Sequence, residues 1–421
     1  MSGNPPTRPT RVLYVVSLFP CWSETFIVRE IEQLIAAGVD VRILSLKPPS
    51  ESMVQAGAQA LMPRVIGPGL GPRGWWAALR QAVSQPMQLL TVLTSMLAGL
   101  WRQPAVLGKT LIGLMRSLAV LDALRAFNPQ WIHAHWATYP SSAAWMLGRL
   151  LRLPFSFTSH AHDIFVEDQM LARKLADARL AITISDYNVG YLKRWSQPHG
   201  APNYTRMRVV HCGVDLTEIA YTPDGRDPLL IATVGRMDPI KGFAVLIEAL
   251  GRLRSHNIPF RCRLIGEGEL RPELEAARRK LGLDDALEMP GARPQEAVRA
   301  LLAEAAIFVM PSVTTPAGNQ DGIPVALMEA MASGAAAVST RVSGIPELVE
   351  HDRTGLLVDP HDVDGLAQAL QRLLQDATLR RRLSDAARQR VEQQFDAATE
   401  AGKLLRHWQT ALSGAEQVNA R

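Results

Sequence analysis

Short apolar runs of strand length alternate with amphipathic runs of helix length along nearly the whole chain, and the alternation stops and restarts once. RVLYVVSLFP at 11–20 is an apolar run ended by proline, the pattern of a strand buried on both faces. ETFIVREIEQLIAAG at 24–38 spaces its apolar residues as a helix does and stops at Gly38. VDVRILSL at 39–46 is a second strand, so the chain opens on a βαβ unit. WIHAHW (131–136), PFSFTSH (154–160), LAITIS (180–185) and RMRVVHCGV (206–214) continue the strands. After a polar segment rich in Pro and Gly the pattern restarts with LLIATVGRM, FAVLIEALGRLRS, FRCRLIGEG, LRPELEAARRKLG, IFVMP, AAAVST and GLLVD. Buried parallel strands with helical crossovers leave few architectures open. The chain is predicted to be α/β, with two successive parallel-sheet domains over 11–215 and 229–396 joined by a linker at 216–228. Residues 1–10 are a loose tail, and 397–421 form a C-terminal helix returning to the first domain.

A chain of 421 residues with 47% hydrophobic content has enough apolar surface for two cores. Cys21, Cys212 and Cys262 are odd in number and lie far apart without a CxxC pair, which points away from a disulfide framework and a zinc site and towards a reducing cytoplasm. The apolar run after the polar N-terminus is too short for a signal-peptide core, so no leader is expected. Net charge is only +5, yet no acidic residue stands between Glu51 and Asp122, where six Lys and Arg fall beside Trp75, Trp76 and Trp101. This basic, apolar segment at 61–125 is expected to lie on the inner face of a membrane without spanning it. No RNA- or DNA-binding motif accompanies it, and no nucleic-acid partner is expected.

Ligands of open α/β sheets sit beyond the carboxyl ends of the strands, so the loops there carry the candidate chemistry. VGRMDPIKG at 234–242 sets Arg236 and Lys241 beside the N-terminus of a helix, where amides and dipole both favour a diphosphate. LIGEGEL at 264–270 adds a second glycine-rich turn. DGIPVALMEAMASG at 321–334 places Asp321 and Glu329 eight residues apart, with Gly322 allowing close approach of a ligand and Pro324 suited to a helix start. Carboxylates accept hydrogen bonds from hydroxyls, so cations would hold a diphosphate and acids the polyols. His133 and His135 alternate as strand residues do and are not expected to ligate metal.

These motifs in this order, together with PSV at 311–313 and GIPELVEHDRTGLLVDP at 344–360, resemble the retaining glycosyltransferases of the GT-B fold, family 4 or group 1 type. SLFPCWSETFIVREIEQLIAAGVDVRILSL, SHAHDIF and ITISDYNVGYL are most similar to the exopolysaccharide branch, which includes colanic acid and amylovoran biosynthesis enzymes. The resemblance implies two Rossmann-like domains facing across a donor-binding cleft. It gives Arg236 and Lys241 to the donor diphosphate, Glu329 to the ribose, Gly322, Ile323 and Pro324 to the donor site, and Asp321 to the transferred sugar. The family usually has Glu where Asp321 stands, so this chain's acid is one methylene shorter. His160 matches the N-domain histidine that faces the donor sugar, with His162 two residues away and Asp163 expected to orient a ring on the acceptor side. Glu24 is either an acceptor ligand or a first-turn acid behind Ser23 as helix cap. The implied activity is transfer of a hexose from a UDP- or GDP-sugar to a saccharide, such as a lipid-linked exopolysaccharide repeat unit, with retention and without metal or cofactor. The implied place is the cytoplasmic side, peripheral on the membrane. The alternative is a catalytically silent nucleotide-sugar binder in a polysaccharide assembly complex.

Overall fold

The apolar runs form two parallel sheets in the computed structural model, which describes residues 8–21, 24–48, 56–67, 71–167, 169–199 and 206–419. Residues 1–7 of the expected tail and Ser23 lie outside the described residues. The first sheet contains β1 (Arg11–Leu18), β2 (Asp40–Lys47), β3 (Val65–Ile66), β4 (Trp131–His135), β5 (Phe155–Ser159), β6 (Leu180–Thr183) and β7 (Met207–Val209), in the order β3-β2-β1-β4-β5-β6-β7. Val12 stands opposite Val41 on one side and Trp131 on the other, and Val12 to Val16 are wholly buried, as a central parallel strand requires. The second sheet contains β8 (Asp227–Val234), β9 (Arg261–Ile265), β10 (Leu287–Gly291), β11 (Ala305–Met310), β12 (Ala336–Thr340) and β13 (Leu356–Val358), in the order β10-β9-β8-β11-β12-β13.

In each sheet the chain winds outward from one strand and then jumps to that strand's other side. The jumps lie between β1 and β4 and between β8 and β11. These are the switch points, where the crossovers leave in opposite directions and open a crevice at the carboxyl ends of the strands.

The chain divides into two compact units, Met1–Val210 with Glu400–Arg421, and His211–Thr399. In the first unit, helix Thr25–Ala36 buries Ile27, Ile31 and Leu34, one stripe at helical spacing, against Val12 and Tyr14. From Glu400 onward the C-terminal helix belongs to this unit: Leu404, Leu405 and Trp408 join the same core, and the Trp408 indole donates to Ser156 Oγ at 3.2 Å. In the second unit the segment read as a linker is docked on the sheet's helices. Arg226 donates to the carbonyls of Leu302, Ala305 and Ser333, and Thr222 N–H to Ser333 O at 3.1 Å. β3 and β10 were not legible as strands. The first is two residues long, and the second, LEMPG, holds a proline that only a sheet edge tolerates.

The basic segment folds into helices Pro72–Ser84, Pro86–Leu100, Pro104–Ala119 and Leu121–Phe127, three of them opened by proline. Ala78, Val92, Met96, Leu100, Leu114 and Leu118 pack into the first unit's core. The outward faces keep Trp76 68% and Trp101 64% exposed, and Met87, Leu90 and Leu97 are exposed as well. No single helix among the described residues is long and apolar enough to cross a membrane; the two helices Pro104–Ala119 and Leu121–Phe127 pass that test only as a pair bent by 52°.

Candidate functional site

In the second unit the residues singled out by sequence gather at the β8/β11 switch point. The chain leaves β8 through Gly235 and Arg236, and Asp238 accepts the N–H of Ile240 at 3.2 Å to cap the turn Pro239–Lys241. Gly242, at φ 65°, then opens helix Phe243–Ser255. A Cβ on Gly242 would stand 1.9 Å from the carbonyl oxygen of Pro311, just past β11, and a Cβ on Gly266, just past β9, would stand equally close to that of Gly235. Three strand ends therefore close backbone to backbone, which only glycine permits. Val313 N–H donates to Ile240 O at 2.9 Å across the same gap.

This closure delivers Lys241 Nζ to 2.6 Å from Asp321 Oδ2, and Ser312 Oγ donates to the same oxygen at 3.2 Å. The sequence reading gave the cation to a diphosphate and the acid to a sugar. The structure joins them as one ion pair, with side chains 17% and 14% exposed. Arg236 extends outward at 70% exposure, its guanidinium 3.1 Å from Asp238. Gly322, Ile323 and Pro324 are buried, and helix Val325–Ser333 begins directly after the proline. That helix packs between β11, β12 and helices Gln295–Glu304 and Ala377–Gln394, so it has no solvated face to give Glu329. Glu329 is 6% exposed and accepts from Gln295 Nε2 at 3.3 Å. A carboxylate at that depth needs hydrogen-bond partners, and Gln295 is one of them.

In the first unit the β1/β4 switch point collects a second cluster. His160, just past β5, is 4% exposed and packs against Trp136 and Phe26 with ring centroids 4.4 and 4.9 Å away. Its Nε2 lies 3.1 Å from His135 Nδ1, and His135 Nε2 lies 2.9 Å from Glu30 Oε1. Tyr14 donates its hydroxyl to the same Glu30 oxygen at 2.8 Å. Burial alone would raise the Glu30 carboxyl, but its neighbour His135, then His133 and Tyr14, hold it below its ordinary value. Burial, reinforced by His135 and His133, keeps His160 well below the usual imidazole range. Trp136 adopts φ 76°, a conformation rare for so bulky a residue and the kind of backbone strain found at functional sites.

His133 is also held at full depth. Ser156 Oγ accepts the indole N–H groups of Trp131 at 2.7 Å and Trp408 at 3.2 Å, so its own proton goes to His133 Nδ1 at 2.8 Å. His133 Nε2 then carries the ring proton and donates to Thr158 Oγ1 at 3.1 Å. Burial lowers this imidazole to about 3. Glu30, His133 and His135 each offer an atom within 4.8 Å of the others, a spacing a metal ion would accept. The Nε2 proton that Ser156 assigns to His133 points instead to a hydrogen-bonding role there.

Asp163 departs from expectation. It is 1% exposed, and its carboxylate accepts the backbone N–H of Ala137 at 2.6 Å and of His160 at 3.0 Å, tying the ends of β4 and β5 together rather than facing an acceptor. Glu24 makes no side-chain cap on the helix that follows; it accepts the indole N–H of Trp136 at 2.9 Å. His162 is outside the cluster, its side chain half exposed near Glu167. Sequence reasoning missed Ser312, Gln295, Glu30 and Tyr14. Ser312 stands inside PSV, and Asp238 before a proline is a legible cap signal, but nothing local marks Gln295 or Glu30.

Residues 23–218 match the family model Glycosyltransferase Family 4, and residues 220–390 match Glycosyl transferases group 1. The chain is 32% identical over 402 residues to the putative colanic acid biosynthesis glycosyltransferase WcaL of Escherichia coli K12, covering 92% of this chain and 96% of that one. Its fold is similar to sucrose-phosphate synthase from Thermosynechococcus elongatus, with a TM-score of 0.71 and 20% identity over 96% of this chain and 99% of that one. It is also similar to Anabaena Alr3699/HepE in complex with UDP and glucose, with a TM-score of 0.65 and 17% identity over 98% of this chain and 100% of that one. The two parallel-sheet units are thus those of the GT-B fold, and the chain belongs to the glycosyltransferases of family 4, with a group 1 C-terminal domain.

Proposed function

We propose that this glycosyltransferase moves a hexose from a nucleoside-diphosphate sugar to a saccharide acceptor, a lipid-linked exopolysaccharide repeat unit, with retention of configuration. The observation that carries the reading is the polar set at the β8/β11 switch point: Lys241 paired with Asp321, Arg236 reaching outward, and Glu329 buried on the helix that follows Pro324. Arg236 and Lys241 stabilise the charge that develops on the departing diphosphate, the largest contribution such a site makes to rate. Glu329 takes the ribose hydroxyls. Asp321 holds Lys241 in place and meets the transferred sugar, its shorter side chain setting which sugar fits. His160 is the first unit's candidate contact to a sugar. The colanic acid relative supports the exopolysaccharide assignment, and the Anabaena complex makes uridine donors the first to try.

The exposed tryptophans and apolar residues of the helices at 72–119 support docking on the inner membrane face, where the carrier lipid of the acceptor lies. Arg102 stacks 4.6 Å over the Trp101 ring, an arrangement suited to anionic headgroups. With two side-chain cations at the diphosphate site, no metal is required in this reading. Incubation with a panel of UDP- and GDP-sugars, measuring the nucleoside diphosphate released and the anomeric configuration of the product, tests the proposal. Release from no donor with any saccharide acceptor overturns it, and an inverted product overturns retention.

A further inference from the structure

Buried histidines in a chain constrain one another's protons, and the first unit contains such a chain. A carboxylate only accepts, so His135 Nε2 must donate to Glu30 Oε1 across 2.9 Å. A neutral His135 ring then has its lone pair on Nδ1, and across 3.1 Å it accepts from His160 Nε2. We infer that Glu30 and His135 are positioning residues, whose hydrogen-bonded chain fixes His160 as the tautomer with its proton on Nε2 and its lone pair on Nδ1.

The supports are independent of one another. Tyr14 donates to the Glu30 oxygen at 2.8 Å, fixing that carboxylate as an acceptor. Asp163 holds the His160 backbone N–H, and Asn188 Nδ2 donates to the His160 carbonyl, so the main chain that carries the ring is fixed on both sides. Trp136 and Phe26 confine the ring from its sides. Among the titratable groups that face this pair, Glu30 and Asp163 only accept, Tyr14 gives its proton to Glu30, and His133 gives its Nε2 proton to Thr158. An imidazole with an Nδ1 lone pair accepts a hydrogen bond from a hydroxyl, whereas the opposite tautomer would donate one. The consequence for transfer rests on the reading that His160 meets the sugar: the chain makes His160 an acceptor for a sugar hydroxyl.

The test uses the full chain with ¹⁵N-labelled histidine rings and long-range proton–nitrogen correlation at pH 7.5, with resonances assigned through single His→Gln variants. His160 is expected to show a protonated Nε2 and a lone-pair Nδ1. Two variants probe the chain. Glu30→Gln removes the obligate acceptor. His135→Asn keeps an amide near the position of Nδ1 but breaks the link to Glu30, and serves if Glu30→Gln does not fold by circular dichroism. In either variant the His160 tautomers mix, and turnover at saturating donor falls about tenfold or more with donor KM within about twofold, because an orienting acid acts on the reacting geometry rather than on binding. A proton on Nδ1 of His160 in the wild type, or a doubly protonated His135, overturns the inference. So does zinc that displaces the Nε2 protons of His133 and His135 at one equivalent, since the cluster would then be a metal site. A lost tautomer preference with unchanged turnover overturns the positioning role. Absence of turnover with any donor removes the transfer reading alone, and the spectra still decide the tautomer.

Discussion

Acidification from pH 7 to pH 5 should destabilise the first unit, and the cost follows from its buried histidines. An unfolded histidine binds a proton near pH 6.5, whereas His133 does so only at about 3. Between those values the unfolded chain holds a proton that the folded one refuses, so stability is complete above the unfolded value and drains away as pH falls towards about 3. At about 1.4 kcal/mol per pH unit, His133 alone removes about 2 kcal/mol by pH 5. His160 and the partly buried His407, both lowered chiefly by burial, act in the same direction. Asp163, raised by burial despite its backbone N–H partners, acts in the opposite one. Glu30 is lowered, so its contribution fades only below the carboxylate range, and Tyr14 is raised and titrates in alkali. With a urea m-value of about 2–3 kcal/mol/M, the His133 share is a midpoint shift of about 0.7–1 M. All nine tryptophans fall within Met1–Val210 and Glu400–Arg421, so intrinsic fluorescence reads this unit alone. His133→Asn keeps an acceptor for Ser156 and removes the titration, and should lose that share of the shift. Equal midpoints at pH 7 and pH 5, or the full shift persisting in His133→Asn, would refute the reasoning.

Other expectations concern the second unit and the outer helices. Arg236→Ala and Lys241→Ala should each lower turnover about 10²-fold while circular dichroism stays native; wild-type rates in both remove the diphosphate assignment. Because Asp321 is ion-paired to Lys241, Asp321→Ala should depress turnover yet bind nucleoside diphosphate at least as tightly, whereas Glu329→Ala should weaken it; calorimetry showing equal losses contradicts separate roles. Excess EDTA should leave donor turnover unchanged, and a loss restored by a divalent cation would require a metal in the reaction. Liposomes rich in anionic lipid should carry the protein upward on flotation at low salt, and Trp76→Ser with Trp101→Ser should release it; no binding at low salt removes the membrane proposal.

Fold class was legible because parallel strands buried on both faces read as unbroken apolar runs, which RVLYVVSL and AAIFVM both are. The helix FAVLIEALGRLRS was legible to its ends. In the second unit the residues named from sequence follow β8 and β11, the strands of the switch point, since a motif within one strand-turn-helix unit fixes its own geometry. What sequence could not reveal was pairing across distance. Lys241 and Asp321 are 80 positions apart and Glu30 and His135 105, and each pair meets only because a sheet order sets two strand ends side by side. Asp163 was misread for a related reason. An acid just after a histidine reads as its ring partner, but the chain turns there and its carboxylate finds backbone amides instead.

The glycine contacts beside Arg236 and Lys241 divide the β8/β11 switch point into what can drift and what cannot. Gly242 against Pro311 and Gly266 against Gly235 touch through main chain, so even a methyl group would pry two strand ends apart and carry Lys241 away from Asp321. That floor tolerates almost no mutation. The walls around it are side chains on helix Val325–Ser333 and on the turn before it, where one methylene more or less, as at Asp321, changes reach without moving backbone. Changes of sugar preference among descendants of such a sequence should therefore accumulate in the walls, and the paired glycines should be the last positions to change.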